Sequence, residues 1–318
     1  MFQTDYIHLL QSFDHPVIHA FMVLISAIGI TPFVITVLMG ITFAVDFKRG
    51  MVLINIVAWT AFFTVFAKET INYPRPVHTD PSLKFSQYEQ AKKDFSTLLP
   101  LKFFEPLSDE LLKETKTEKF DHLGFPSGHT SAQVALWIGL VFLFRKRWML
   151  FLGIAMIVLT MISRMYLGSH FLGDVLAGAF IGLFVAFSLI FLVRKTNYLE
   201  AETHDLKSMT LLWLPFFLLF FAPITPHWLS GIIIGVNLAA MLTILKRNFP
   251  FFQKFTWKRI SAAVISLTLF ILAFYINNSF TFARNDYADI LIIAAINFLA
   301  IRGGLSLNRR LHLIRFKY

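Results

Sequence analysis

Residues 126–193 read PSGHTSAQVALWIGLVFLFRKRWMLFLGIAMIVLTMISRMYLGSHFLGDVLAGAFIGLFVAFSLIFLV. Three apolar runs are cut at only two places, by Arg145-Lys146-Arg147 and by the stretch from Ser163 to Asp174. Hydrocarbon about 30 Å thick takes roughly 20 apolar residues in an α-helix. Lipid offers no partners to backbone N–H and C=O groups, so a single segment can cross it only as a helix. The stretch predicts three consecutive crossings, at 128–144, 148–168 and 170–193.

The same pattern extends in both directions. Further apolar segments lie at about 17–45, 51–72, 209–223, 228–245, 260–277 and 287–301, the first long and interrupted near Gly29-Ile30-Thr31-Pro32. The expected fold is all-α, a polytopic membrane bundle of about nine transmembrane helices. Composition agrees. Of 318 residues, 56% are hydrophobic and 15% charged, against about 45–50% and 25% in soluble domains. Mean hydropathy is +0.64. A soluble enzyme and a disordered chain are both excluded as expectations. The chain has no Cys, which removes disulfides, thiolate metal sites and a Cys nucleophile. No basic stretch precedes the first apolar run, so no signal peptide is expected.

Orientation follows from the basic residues. With the N-terminus outside, the cytoplasmic ends carry Lys48, Arg49, Arg145, Lys146, Arg147, Arg194, Lys195, Lys207, Lys246, Arg247, Lys254, Lys258, Arg259, Arg302, Arg309, Arg310, Arg315 and Lys317. Those are 18 of the 29 Lys and Arg. The first 16 residues carry none, and eight of the rest lie in 73–125 beside nine acidic residues. Lys68, Arg164 and Arg284 complete the outer set. The net charge of +10 thus reads as an N-out, C-in topology. Nucleic acid is not an expected partner; the bilayer is.

Segment 73–125 is the one long polar excursion, either a solvated external loop or a lid over an outer site. Ser108 is placed to cap a short helix through about Thr117. Phe85, Tyr88, Phe95, Phe103 and Phe104 are expected at the membrane surface. Residues 1–195 form the expected membrane core, and 196–318 add further helices with few buried polar groups. His204-Asp205 reads as solvated, and the region of His227 as an interface anchor.

Three polar clusters fall on the outer side. Polar groups inside apolar helices are costly and mark function. Six residues separate Lys68 from Arg75-Pro76. Pro126-Ser127-Gly128-His129 opens the helix at 128. Ser163-Arg164 is followed by His170 and then Asp174. Lys68, Arg75 and Arg164 supply three cations, suited to a phosphate dianion and its transition state. Ser127 and Gly128 begin a helix, whose N–H groups and dipole favour an anion. His170 and Asp174, four apart, share a helix face. A carboxylate on one imidazole nitrogen leaves the other as a nucleophile. His129 remains as a general acid. Two His and an Asp also suit zinc, but three cations around them would repel a dication. Neither a metal nor a cofactor is expected.

The pattern Lys-x6-Arg-Pro, Pro-Ser-Gly-His, Ser-Arg-x5-His-x3-Asp resembles the type 2 phosphatidic acid phosphatase superfamily across about residues 50–190. The resemblance implies a metal-independent phosphatase with a phosphohistidine intermediate. It would make His170 the nucleophile, Asp174 its partner and His129 the acid. Lys68, Arg75, Ser127, Gly128 and Arg164 would bind phosphate. The implied substrate is a membrane lipid phosphate, met at the outer face of a bacterial inner membrane or the lumenal face of the endoplasmic reticulum. Two alternatives remain open: hydrolysis of a soluble ester, as in glucose-6-phosphatase, whose nine-helix layout is similar, and phosphoryl transfer between lipids. A transporter using the cations as an anion site would leave His129 and the His170–Asp174 pair without a task.

The charge asymmetry is testable because the chain has no Cys of its own. In sealed cells an impermeant thiol reagent is expected to label Ser96→Cys and not Lys146→Cys. The reverse pattern would invert the topology.

Overall fold

The computed structural model describes residues 1–85, 87–117, 123–200, 205–246, 249–251, 257–279 and 285–317; for 249, 251 and 315–317 it describes the backbone alone. Lys119, His204, Arg247, Lys254 and Arg284 lie outside the described residues. The chain forms two compact units. The first comprises residues 1–31 and 63–185, the second 32–62 and 186–318.

Every apolar run marked above is helical. In chain order the helices are α1 (Asp5–Gln11), α2 (Pro16–Ile28), α3 (Thr31–Gly40, continued by a π turn to Val45), α4 (Phe47–Ile71), α5 (Asp109–Thr117), α6 (Gly128–Phe144), α7 (Arg147–Tyr166), α8 (Leu172–Lys195), α9 (Thr210–Trp213, continued as 3-10 helix to Ile224), α10 (His227–Leu245), α11 (Trp257–Ser279) and α12 (Asp286–Arg310). Two three-residue strands, β1 (Phe249–Phe251) and β2 (Arg315–Lys317), pair antiparallel.

Among the described residues six helical runs are long and apolar enough to cross a membrane: Phe47–His78, α7, α8, α10, α11 and α12. α2 and the α3 run make a further candidate, bent by 50° at the Gly29–Ile30 break. α6 and the α9 run are apolar but shorter. The α9 run contains Pro215 and Pro223. Each removes a backbone donor, which favours the tighter 3-10 geometry over a continuous α-helix. The fold is thus the expected all-α membrane bundle.

Outward faces are apolar. Phe180, Phe184, Phe187 and Phe191 recur along α8 at helical spacing, all exposed. Such a stripe belongs against lipid rather than water.

In the first unit α7 packs on α1, α2 and α6. The Ser163 hydroxyl donates to the Met22 carbonyl at 2.6 Å, and the Gln133 amide to the Ile28 carbonyl at 2.9 Å. Segment 73–125 is folded over its own core. Phe2, Ile7, Val77, Leu83, Ala91, Phe95, Leu107, Leu111 and Phe171 form one buried cluster. Ser108 caps α5 by accepting from the Leu111 N–H at 3.2 Å. Asp80 ties the segment to α1 through His8 at 2.8 Å. Burial alone would raise the Asp80 pKa; hydrogen bonds from Ser82, His8 and Thr4 outweigh it and hold the carboxyl below its ordinary value.

One expectation is corrected here. Phe95 is buried in that core and so does not lie at the membrane surface, while Phe85 is half-buried and stacks on Tyr166 at 5.1 Å. Phe104 is exposed. Aromatic residues in a polar segment serve a core as readily as an interface, and sequence alone does not separate the two.

The second unit overturns the expectation of few buried polar groups. Asn55, Ser230, Asn237, Thr243, Ser266, Asn297 and Asn308 are all buried. Asn55 and Asn237 exchange amide hydrogen bonds at 2.9 and 3.1 Å. The Arg302 guanidinium donates to Thr243 at 3.1 Å across 59 residues. A Cβ at Gly231 would meet Ile290, and one at Gly235 would meet Ala294, at the same separation. α10 and α12 therefore run parallel. Asn308 bonds Ala262 and Ser266, while Gly304 faces Ser266 and Gly303 faces Leu269, so α11 runs antiparallel to α12.

Candidate active site

All the candidate residues lie in the first unit, and each is delivered by a local feature of the chain. Lys68 sits in the last turn of α4. The helix ends at Ile71, and Asn72 turns the chain with φ of 54°, the left-handed region that Asn tolerates better than most residues. Pro74 and Pro76 then fix an extended approach. Arg75 is held there, buried, with its backbone N–H on His78 Nδ1 at 3.4 Å.

The Lys68 ammonium donates to the Leu123 and Gly124 carbonyls, both at 3.0 Å. Those carbonyls lead into Pro126-Ser127-Gly128-His129. Gly124 is required at this crossing. A Cβ there would lie 2.6 Å from the Pro74 carbonyl oxygen and 3.2 Å from Asp174 Oδ2. Ser127 caps α6, accepting from Thr130 N–H and from the Thr130 hydroxyl at 3.0 Å. The Ser127 N–H donates to the Asp174 carbonyl at 2.9 Å, which ties α6 to α8. His129, one position into α6, lies against Gly29.

Arg164 is fully buried near the end of α7. Its Nη1 donates to the Ser26 hydroxyl at 2.6 Å and to Gln87 Oε1 at 3.2 Å. Among the described residues its Nε and Nη2 have no hydrogen-bond partner, and neither has Arg75 Nε. Nε and Nη2 form one edge of a guanidinium, the edge that grips a phosphate or carboxylate with two parallel bonds. Buried donors without acceptors are rare in folded proteins. Here three of them lie on two buried arginines from different motifs.

His170 is buried between α7 and α8. Its Nδ1 faces Asp174 Oδ2 at 3.3 Å. Asp174 Oδ2 also accepts from the Phe171 N–H at 2.9 Å, so the carboxylate is fixed. His170 Nε2 lies 3.4 Å from Arg75 Nη1, whose firmer bond goes to the Ser169 carbonyl at 2.8 Å. The three cations all act electrostatically on both His129 and His170. Lys68, Arg75, Ser127, Gly128, His129, Arg164, His170 and Asp174 thus form one constellation. Asp174 is its one carboxylate. Among the described residues no group of three His, Cys, Asp or Glu is arranged to hold a metal ion.

Four contributors carry no motif signal. Ser26 and Gln87 accept from Arg164. Tyr88 places its ring 3.8 Å from the Arg75 guanidinium carbon. Gly178 on α8 lies so near the Ser127 carbonyl that a Cβ there would overlap it. The expectation of either a solvated loop or a lid resolves in part: residues 87–88 of segment 73–125 touch the site.

Residues 49–199 match the PAP2 superfamily model, a span that contains all three motifs. A lipid A 4'-phosphatase of Bacteroides thetaiotaomicron is 40% identical over 81 residues, which cover 25% of this chain and 36% of that protein. The match spans about a third of the relative's length. No solved structure matches.

Gly178 gives a test of this packing without touching a motif. Gly178→Val is expected to lower the unfolding temperature in detergent, with an overpacking cost of about 1–3 kcal/mol. Gly40→Val serves as the control, because nothing lies within 4 Å of a Cβ there. Equal melting of the two variants would refute the close approach of α8 to Ser127.

Proposed function

Starting from the place of residues 49–199 in the PAP2 superfamily, we propose that this chain is an integral-membrane phosphatase. It hydrolyses a phosphate monoester or diphosphate of a lipid at the outer or lumenal face. The observation that carries the reading is the buried, unpartnered Nε–Nη2 edge of Arg164 beside the His170–Asp174 pair. It supports an anion held against a nucleophile. The printed activity of the relative, a lipid A 4'-phosphatase, supports a phosphate carried on a lipid.

In this mechanism the phosphoryl group sits in the cradle of Lys68, Arg75, Arg164 and the N-terminus of α6. Asp174 holds the proton on His170 Nδ1, which leaves the Nε2 lone pair facing phosphorus. Nε2 attacks, the Nε2–P bond forms and the bond from phosphorus to the leaving oxygen breaks. His129 gives its proton to that oxygen. Water then attacks phosphorus, yields a proton to His129, and the Nε2–P bond breaks. The cations stabilise charge on the equatorial oxygens in both steps. Three fixed cations take the place of the metal clamp common in phosphoryl transfer.

Detergent-solubilised protein is expected to release phosphate from phosphatidate or an isoprenyl diphosphate in excess EDTA, and to be inhibited by orthovanadate. Activity lost in chelator and restored by magnesium or zinc would sink the metal-independent mechanism. Faster release from glucose-6-phosphate than from either lipid would favour the soluble substrate.

The two histidines separate by step. His170→Ala is expected to form no phosphoenzyme. His129→Ala is expected to lose alkyl phosphates more than p-nitrophenyl phosphate, whose leaving group hardly needs a proton. Labelled substrate and quenching without acid decide the matter. Acid-labile phosphoprotein in His170→Ala, with none in His129→Ala, would exchange the two roles.

A further inference from the structure

Segment 73–125 places two side chains on the cations of the site, and neither belongs to a motif. The Tyr88 ring covers the Arg75 guanidinium at 3.8 Å. The neighbouring Gln87 carbonyl oxygen accepts from Arg164 Nη1 at 3.2 Å. Gln87-Tyr88 thus spans two like charges that repel each other.

The turn that carries them is anchored on both sides. Leu83 and Ala91 are buried in the core of the segment. The Ala91 N–H donates to the Val77 carbonyl at 2.9 Å, two residues beyond Arg75. The Gln90 amide donates to the Leu83 carbonyl at 2.7 Å, and the Lys84 N–H to Gln11 Oε1 at 2.9 Å. A flap free to swing would not be tied to the strand of chain that bears Arg75.

The division of donors matters most. Ser26 and Gln87 use Nη1 of Arg164 and leave the Nε–Nη2 edge unpartnered. Tyr88 uses the face of Arg75 and leaves its Nε unpartnered. The segment therefore engages the surfaces of the two arginines that a phosphate does not need.

We propose that Tyr88 and Gln87 are positioning residues of the phosphate pocket, holding Arg75 and Arg164 in register so that their unpartnered edges converge on one anion. This rests on the phosphatase reading above. It makes segment 73–125 a working part of the site rather than a cover. A guanidinium stacked on an aromatic face is held in its plane.

Full-length protein in detergent, p-nitrophenyl phosphate as substrate and orthovanadate as probe provide the test. Tyr88→Ala is expected to raise the vanadate inhibition constant about tenfold, and KM with it, while kcat falls less. Tyr88→Phe, which keeps the ring over Arg75, is expected to stay within about threefold of the parent. Gln87 is exposed, so its replacement leaves the buried core of the segment intact. Gln87→Ala is expected to weaken vanadate by about threefold, which covers the case of a Tyr88→Ala that does not fold. Vanadate binding within twofold in both Ala variants overturns the proposal. So does tighter binding, which would mean that Tyr88 competes with the anion, and so does a Tyr88→Phe as weak as Tyr88→Ala. Arg164→Ala separates the two levels of inference. If it too leaves vanadate inhibition unchanged, the phosphate site has failed; if it alone abolishes inhibition, only the role of Tyr88 and Gln87 has failed.

Discussion

Three cations held close together in an apolar protein, with a single carboxylate among them, set the terms for the first unit. A buried charge is costly unless paired, and removing ions from water costs several kcal/mol each even after relaxation. The chain does not meet that cost with acids. It meets it with neutral oxygens: the Ser26 hydroxyl and the Gln87 amide for Arg164, the Ser169 carbonyl for Arg75, and the Leu123 and Gly124 carbonyls for Lys68. Oxygen dipoles solvate a cation without cancelling it. The pocket therefore keeps net positive charge. Two more acids would cancel that charge and, on the reading proposed above, leave nothing for a phosphate to gain.

That choice explains the backbone. Carbonyls reach a buried ammonium or guanidinium only where chain passes close to chain, and such crossings tolerate no side chain. Gly124 lies under the Pro74 carbonyl and beside Asp174, so the lead-in to α6 touches the other two motifs at one point. Gly178 lets α8 rest on the Ser127 carbonyl. The Ser127 N–H meanwhile spends its hydrogen bond on the Asp174 backbone. Asp174 and the N-terminus of α6 are thus locked to each other by main chain, whose geometry does not depend on a rotamer. The precision that the proposed attack demands of His170 would come from these contacts.

What could be read in advance follows from which signals are periodic. Apolar runs and basic ends are collective properties of many residues, so the helices and the break at Gly29–Ile30 were legible. The three motifs were legible because rare polar types recur at fixed spacing in apolar helices. Tyr88 and Gln87 lie in an irregular segment where spacing means nothing; only the fold of that segment brings them to the arginines. Ser26 is one hydroxyl in an apolar helix, and such residues usually bond their own carbonyls. Phe95 looks like an interface residue from composition and is core. Asn55 and Asn237 are 182 residues apart, and no local pattern announces their pairing.

The two units bury polar groups of different charge. In the second, neutral side chains pair across helices: Asn55 with Asn237, Thr243 with Arg302, Asn308 with Ser266 and the Ala262 carbonyl. Most also bond a carbonyl one turn back, as Asn237 does to Ile233 and Asn297 to Ile293. Interhelical bonds of this kind contribute about 0.6 kcal/mol on average in membrane proteins, too little to drive assembly but enough to prefer one neighbour over another. They fix which helices pair and in what register, as the constant separation of 59 between α10 and α12 records. In the first unit the buried atoms left open among the described residues include Nε and Nη2 of Arg164 and Nε of Arg75, together with Asp174 Oδ1, His19 Nδ1 and the Thr160 and Tyr166 hydroxyls. What sets it apart is that two buried guanidinium groups of different motifs keep open donors, and a buried cation without an acceptor is costlier to leave open than a neutral amide or hydroxyl. The phosphate reading proposed above rests on that difference in charge.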